Sequence, residues 1–198
     1  SQWSARPGRA APARGAPADL GTEQDLHHLL QTQTFAIPSF AHQGGPFMAQ
    51  QGYVLREGQL CELQAIKVAG RTALAALYCA QMTAWLVRCL RPETSDDPAT
   101  GSRMLVVEGP LARNQLYMGV LQSLLGGYTC FASVDELEGT ARGAWLLSRW
   151  SGGSHVSSAP DTPSFLQAVR PSNMSGLHEY HQRWVALVAG LTSAARRP

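Results

Sequence analysis

Lysine is almost missing from this chain of 198 residues, since Lys67 is the only one. Charge of either sign is also scarce, at 15% of residues, and the net charge is only +2. So slight an excess excludes a broad basic footprint for nucleic acid and gives no ground for an electrostatic membrane partner. The four cysteines, Cys61, Cys79, Cys89 and Cys130, form no CxxC pair. That argues against a zinc site and fits reduced thiols in a cytoplasmic protein. No uninterrupted apolar run reaches the ~18 residues needed to span a bilayer. The longest candidate, Ala73 to Leu90, is interrupted by Gln81, Thr83 and Arg88. Nor is there an apolar segment behind the N-terminal arginines to make a secretory signal.

Several catalytic motifs are absent as well. The chain has no GxxxxGK[ST] loop, no GxGxxG and no GxSxG. These absences argue against a P-loop, a Rossmann dinucleotide site and a nucleophile elbow. Ser154-His155 lies in a Gly/Ser-rich stretch with no acidic partner nearby in sequence, and Asp96-Asp97 and Asp135-Glu136 read as solvated loop carboxylates. His178 and His181 are spaced i, i+3 without a third ligand, and read as surface residues.

What is present is apolar patterning. Hydrophobic residues make up 44% of the chain, enough for a core of one ordinary domain. Residues 1–18, rich in Ala, Arg, Pro and Gly, read as a disordered arm, and residues 19–198 as the domain. Leu26, Leu29 and Leu30 mark a first short helix, Phe35 to Phe40 an extended segment, and Tyr53-Val54-Leu55 a strand closed by Glu57-Gly58. From Gln59 to Arg91 the apolar period is helical, with Gly70 a candidate break and Pro92 the stop.

Met104 to Val107 is a continuous apolar run, the pattern of a strand buried on both faces. A helix follows from Arg113 to Leu125, ended by Gly126-Gly127, and Tyr128 to Ala132 reads as a second strand. Thr140 then caps a helix reaching about Trp150, and a last helix runs from about Ser175 to Ala195. Strand, helix, strand, helix in this order predicts an α/β fold with parallel strands. Ligands of such sheets bind at the carboxyl ends of the strands, against helix N-termini. Two loops qualify: Glu108-Gly109-Pro110-Leu111-Ala112-Arg113-Asn114, and Gly139-Thr140. Gly109 lets a flat ligand lie against the backbone, and Asn114 offers both a donor and an acceptor to a purine edge or ribose. A glycine after a strand and a threonine at a helix start also occur in α/β domains that bind nothing there.

The stretch Val106-Val107-Glu108-Gly109-Pro110-Leu111-Ala112-Arg113-Asn114 resembles the strand-plus-EGPFxxN segment of FGGY-type carbohydrate kinases, a branch of the actin-like ATPase superfamily. The likeness is strongest to a bacterial fuculokinase- or rhamnulokinase-like subgroup. Glu138-Gly139-Thr140-Ala141-Arg142-Gly143-Ala144 is similar to the later GTxxGAA element. Ile37 to Phe47, Ala73 to Thr83, and the pair Tyr180 and Trp184 fit three further segments in the same order. The family's GGRE-like turn reads Gly44-Gly45-Pro46-Phe47 here, without its acidic residue.

The resemblance, covering roughly Phe35 to Trp184, implies a ribonuclease H-like domain with a mixed sheet flanked by helices. It also implies ATP as cofactor, with Mg2+ in a complete active site. The nucleotide would lie on Glu108, Gly109, Pro110, Asn114, Gly139 and Thr140. In the family the catalytic aspartate, the sugar pocket and a DxGTxxxR-like phosphate loop belong to a separate first domain, and these residues contain none of them. The expectation is therefore an ATP-binding half that does not phosphorylate sugar alone. Its partners would be ATP or ADP and a first kinase half or a second copy of itself. A non-catalytic interaction or dimerisation module is the alternative.

Overall fold

The computed structural model describes residues 21–40, 46–47, 50–90, 103–133, 148 and 166–194. The N-terminal arm, the loops at 91–102 and 151–163, and the helix expected over 140–150 thus fall outside the described residues, Ser148 apart.

Helix α1, Glu23–Gln31, starts where the sequence provides a reciprocal cap. Thr22 Oγ1 accepts the Asp25 N–H at 3.1 Å, and the Asp25 carboxylate accepts the Thr22 N–H at 2.9 Å. Those hydrogen bonds hold the Asp25 carboxyl below its usual range. Leu26, Leu29 and Leu30 face the core. Gly21, at φ +73°, passes so close to Ala73 that a Cβ there would lie 2.8 Å from the Ala73 nitrogen.

Strands β1 (Thr34–Ile37), β2 (Tyr53–Arg56) and β3 (Gln59–Cys61) form an antiparallel sheet in that order. The β2–β3 connection corrects the expectation of a helix from Gln59. Glu57 and Gly58 both have positive φ, +53° and +79°, and Arg56 pairs with Gln59 across them. This is the mirror-image two-residue turn that matches strand twist. Leu60, 78% exposed, lies on the outer edge of the sheet. A 3-10 turn at Leu63–Ala65 follows, and helix α2 runs only from Val68 to Leu90.

Gly70 lies inside α2 and does not interrupt it; a Cβ there would come within 3.0 Å of Ile66. By length and composition α2 could cross a membrane. In the fold it is the central helix, burying Ala73, Leu74, Ala76, Leu77, Ala80, Gln81 and Ala84 against α1, β1 and the next helix. Its small residues allow the neighbouring backbones to approach.

The second sheet is mixed. Strand β4 (Arg103–Val107) lies parallel to β5 (Tyr128–Ser133), with Leu105 opposite Cys130, and β6 (Leu166–Ala168) pairs antiparallel to β5. Helix α3 (Gln115–Leu124) makes the crossover between β4 and β5, as the sequence predicts. The strand β6 was not legible in the sequence. β4 also departs from expectation: its burial alternates, with Met104 53% and Val106 40% exposed. The helices pack against the face carrying Tyr128, Cys130 and Ala132, and Met104 and Val106 point the other way.

Side chains complete the sheet edges. Gln122 of α3 acts as a piece of strand: its Nε2 donates to the Tyr128 carbonyl at 2.9 Å and its Oε1 accepts the Cys130 N–H at 2.6 Å. At β1 the last helix, α4 (Leu177–Ala194), does the same. Tyr180 Oη donates to the Thr34 carbonyl, and Trp184 Nε1 donates to the Ala36 carbonyl at 2.8 Å. Donors four apart on a helix rise ~6 Å, close to the ~6.8 Å between alternate carbonyls of a strand.

Tyr180 also stacks on Phe35, with ring centroids 4.3 Å apart. His181 follows this buried face, so its reading as a surface residue is corrected; it is 2% exposed and stacks on Trp184. The phase of the helix decides this, because Leu177, Tyr180, Trp184 and Val188 are all buried.

Candidate functional site

The carboxyl end of β4 opens into a tight loop. Gly109 takes φ +82° and ψ −165°, which is strained for residues with a Cβ. A Cβ built there would meet nothing within 4 Å, so the backbone angle, not crowding, calls for glycine, and the space above it is open. Pro110 then begins a 3-10 turn, Pro110–Arg113, closed by hydrogen bonds from Ala112 N–H to the Gly109 carbonyl and from Asn114 N–H to the Leu111 carbonyl, both 3.1 Å. Glu108, Gly109 and Pro110 are exposed; Ala112 anchors the turn in the core.

Asn114 ends the turn and caps α3. Its Oδ1 accepts the Tyr117 N–H at 3.0 Å, a bond that satisfies one of the orphan donors of the helix. This uses the acceptor of the side chain and leaves the Nδ2 donor for a ligand. The α3 N-terminus also carries the positive end of the helix dipole. Tyr117 holds the turn from below: it is buried, its Oη lies 3.1 Å from Thr83 Oγ1, and burial raises its phenol pKa. The parallel register brings the end of β5 alongside the same loop, with Val107 opposite Ala132. Gly139 and Thr140, which follow β5, lie outside the described residues.

A cavity of about 510 Å³ adjoins the loop. Ala112 and Gln115 line it from the β4–α3 side, Ala132, Gln167 and Arg170 from the β5–β6 side, and Glu23 from the start of α1. Three hydrogen bonds fasten its two walls: Ser172 N–H to the Gly119 carbonyl at 3.1 Å, Ser123 Oγ to the Ser172 carbonyl at 2.9 Å, and Val169 N–H to the Cys130 carbonyl at 3.0 Å. The cavity is thus formed before any ligand arrives. Apolar Leu116, Met118 and Val169 share its lining with polar Glu23, Gln115, Gln167 and Arg170.

Of the residues expected in the site, the structure gathers Glu108, Gly109, Pro110 and Asn114 into one loop. Sequence reading did not find Glu23, Gln115, Gln167 or Arg170. They come from separate segments and carry no motif, so spacing offered no signal for them. Among the described residues no three His, Cys, Asp or Glu side chains converge, so these residues offer Mg2+ no protein cage.

The family described as "Carbohydrate kinase FGGY, C-terminal domain" matches residues 6–157. That match takes in most of the stretch set apart by composition as an arm. No curated protein matches the chain. Among solved structures it is similar to a carbohydrate kinase from Novosphingobium aromaticivorans, with a TM-score of 0.58 and 18% identity over 87% of this chain. The chain spans 31% of the length of that protein. At this identity the likeness speaks for the fold, an α/β arrangement with a mixed sheet and flanking helices. The family match, over most of the chain, settles membership: this protein belongs to the FGGY carbohydrate kinases, through their C-terminal domain.

Proposed function

We propose that this chain is the ATP-binding lobe of a carbohydrate kinase, built on a ribonuclease H-like, actin-type fold. The observation that carries the reading is the loop at the end of β4. A glycine at positive φ opens it, Asn114 passes it into α3, and a preformed cavity of about 510 Å³ lies beside it. Helix N-termini at strand ends are suited to phosphorylated ligands. Glu108, Gly109, Pro110 and Asn114 would hold the nucleotide, joined by Gly139 and Thr140 beyond the described residues.

The reaction of such an enzyme is transfer of the γ-phosphoryl group of ATP to a sugar hydroxyl. Positioning and charge stabilisation supply most of the catalysis, and a carboxylate takes the hydroxyl proton. Magnesium would arrive on the phosphates of ATP, its usual way of binding. The described residues contribute to the nucleotide side of this reaction. The base and the sugar contacts would come from a first kinase domain, in another chain or elsewhere in the same protein. We place the protein in the cytoplasm, where ATP is available and its free thiols stay reduced.

Calorimetry with ATP and ADP on the 198-residue chain tests the reading. Saturable binding of both, with no phosphate transfer to a panel of sugars by this chain alone, is the expected result. Absence of nucleotide binding at millimolar concentration would overturn it. The exposed apolar residues Met104 and Val106 on the open sheet face, with Leu86 and Leu90 on α2, favour a second reading as an interaction or dimerisation module. A stable dimer that binds no nucleotide would support that reading instead.

A further inference from the structure

We propose that the groove between the β1–β2 hairpin and α4 is a docking site for a partner peptide, one with an apolar anchor flanked by arginine or lysine. A cavity of about 540 Å³ opens there, with Phe35, Leu55 and Leu187 as its large apolar residues. Phe35 is buried and stacked on Tyr180, so the floor is preformed. Leu187 is 40% exposed and stands open to an incoming side chain. Gln33 and Arg183 belong both to this cavity and to a second one of about 260 Å³, so the two form one groove. The groove has no lining residue in common with the cavity beside the Gly109 loop, and the proposal does not depend on the ATP reading.

Charge selects the occupant. Glu57, Glu179 and Arg183 are the formally charged side chains lining the groove, and His27 lines the smaller cavity. Arg56, next to Glu57, shares the face of Val54 by strand alternation, opposite to Leu55. Glu179 and Arg183 stand four apart on α4, the spacing of a helix ion pair. Among the described residues they form none: Arg183 Nη1 donates instead to Gln33 Oε1 at 2.6 Å. Gln33 is held in turn by its Nε2, which donates to the Leu30 carbonyl at 2.8 Å. The carboxylates of Glu57 and Glu179 are left without a partner among the described residues. Two open carboxylates against one engaged guanidinium make the groove acidic, in a chain whose net charge is +2. An apolar surface with unpaired carboxylates matches a segment carrying cations around an apolar side chain, and disfavours an acidic one.

The backbone adds an independent observation. Among the described residues only Gln33 and Glu57 combine a side chain with positive φ, at +44° and +53°, and both line this groove. Left-handed backbone is costly for residues with a Cβ, and such strain concentrates at functional sites. The mirror-image turn at Glu57-Gly58 favours asparagine, aspartate or glycine at its first position. The turn by itself therefore does not call for glutamate at 57, whereas a carboxylate on the groove does.

The test is fluorescence anisotropy on the 198-residue chain with a labelled peptide, Arg-Ala-Leu-Phe-Ala-Arg, against the same peptide with glutamate in place of both arginines. The basic peptide should bind saturably and lose affinity as salt is raised, since exposed charges are screened. The acidic peptide should not bind. Glu57→Asn puts a favoured residue into the turn and removes the carboxylate. It should keep or raise thermal stability and weaken the basic peptide roughly two- to fivefold, the scale of an exposed ion pair. Glu179→Gln should weaken it similarly, and Leu187→Ser, which removes the exposed apolar wall, at least as much. Equal binding of the two peptides, wild-type affinity in both charge variants, or no binding of the basic peptide at millimolar concentration would overturn the proposal. So would a chain that binds neither peptide but forms a dimer broken by Leu187→Ser, because the groove would then belong to a second copy.

Discussion

Asn114 is expected to serve two functions, and substitutions can separate them. In the structure its Oδ1 caps α3 by accepting the Tyr117 N–H at 3.0 Å, which leaves its Nδ2 as the donor for a ligand. Asn114→Ala removes both groups. Loss of an N-cap costs about 0.5–2 kcal/mol. For a domain of this size that lowers Tm by roughly 2–4 °C per kcal/mol. Asn114→Ser keeps a capping oxygen, since serine caps about as well as asparagine. It removes the amide donor, and a neutral hydrogen bond of about 0.5–1.5 kcal/mol corresponds to roughly two- to tenfold in affinity.

Two assays read the two roles independently: urea denaturation followed by tryptophan fluorescence, and calorimetry with ATP. Asn114→Ala should lose stability and affinity together. Asn114→Ser should keep wild-type stability and still lose affinity. ATP binding at wild-type strength in Asn114→Ser would refute the contact and leave Asn114 as a helix cap alone. Wild-type stability in Asn114→Ala would refute the cap.

Two further outcomes are expected. Tyr180→Phe removes only the hydroxyl that donates to the Thr34 carbonyl, at a fully buried position, and should cost about 1–3 kcal/mol in denaturant unfolding; a change under about 0.5 kcal/mol would show that α4 does not hold the β1 edge this way. For His181, burial first, then the charges of Arg88 and His178, lowers the pKa to about 4 from 6.5. The unfolded chain therefore takes up the proton first, so its stability contribution is full above about pH 6.5 and is lost as pH falls toward 4. The pH-dependent difference between wild type and His181→Leu should approach roughly 3 kcal/mol over that window, and a parallel pair of curves would refute it.

Much of the fold could be read locally. Leu26, Leu29 and Leu30 mark α1, and the run from Met104 to Ala132 carries a strand, a helix and a strand in order, because each signal lies within a few residues. The loop at Gly109 was legible for the same reason: its conformation is set by its own backbone angle. The hairpin at Glu57-Gly58 was not, because Glu57 takes a positive φ that composition does not advertise, and the apolar residues beyond it mimic a helical period.

Other features belong to the tertiary structure alone. The sequence shows Tyr180 and Trp184 on one helical face, but not that they complete the edge of β1, some 146 and 148 residues away along the chain. It shows no reason to join Glu23, Gln115, Gln167 and Arg170, which share a cavity only after α1, α3 and β6 have packed. Sequence by itself determined the family, most of the helices and the loop, since these depend on neighbours in the chain. The cavity, the split into two sheets and the burial of His181 were decided by packing, because they depend on which distant surfaces meet.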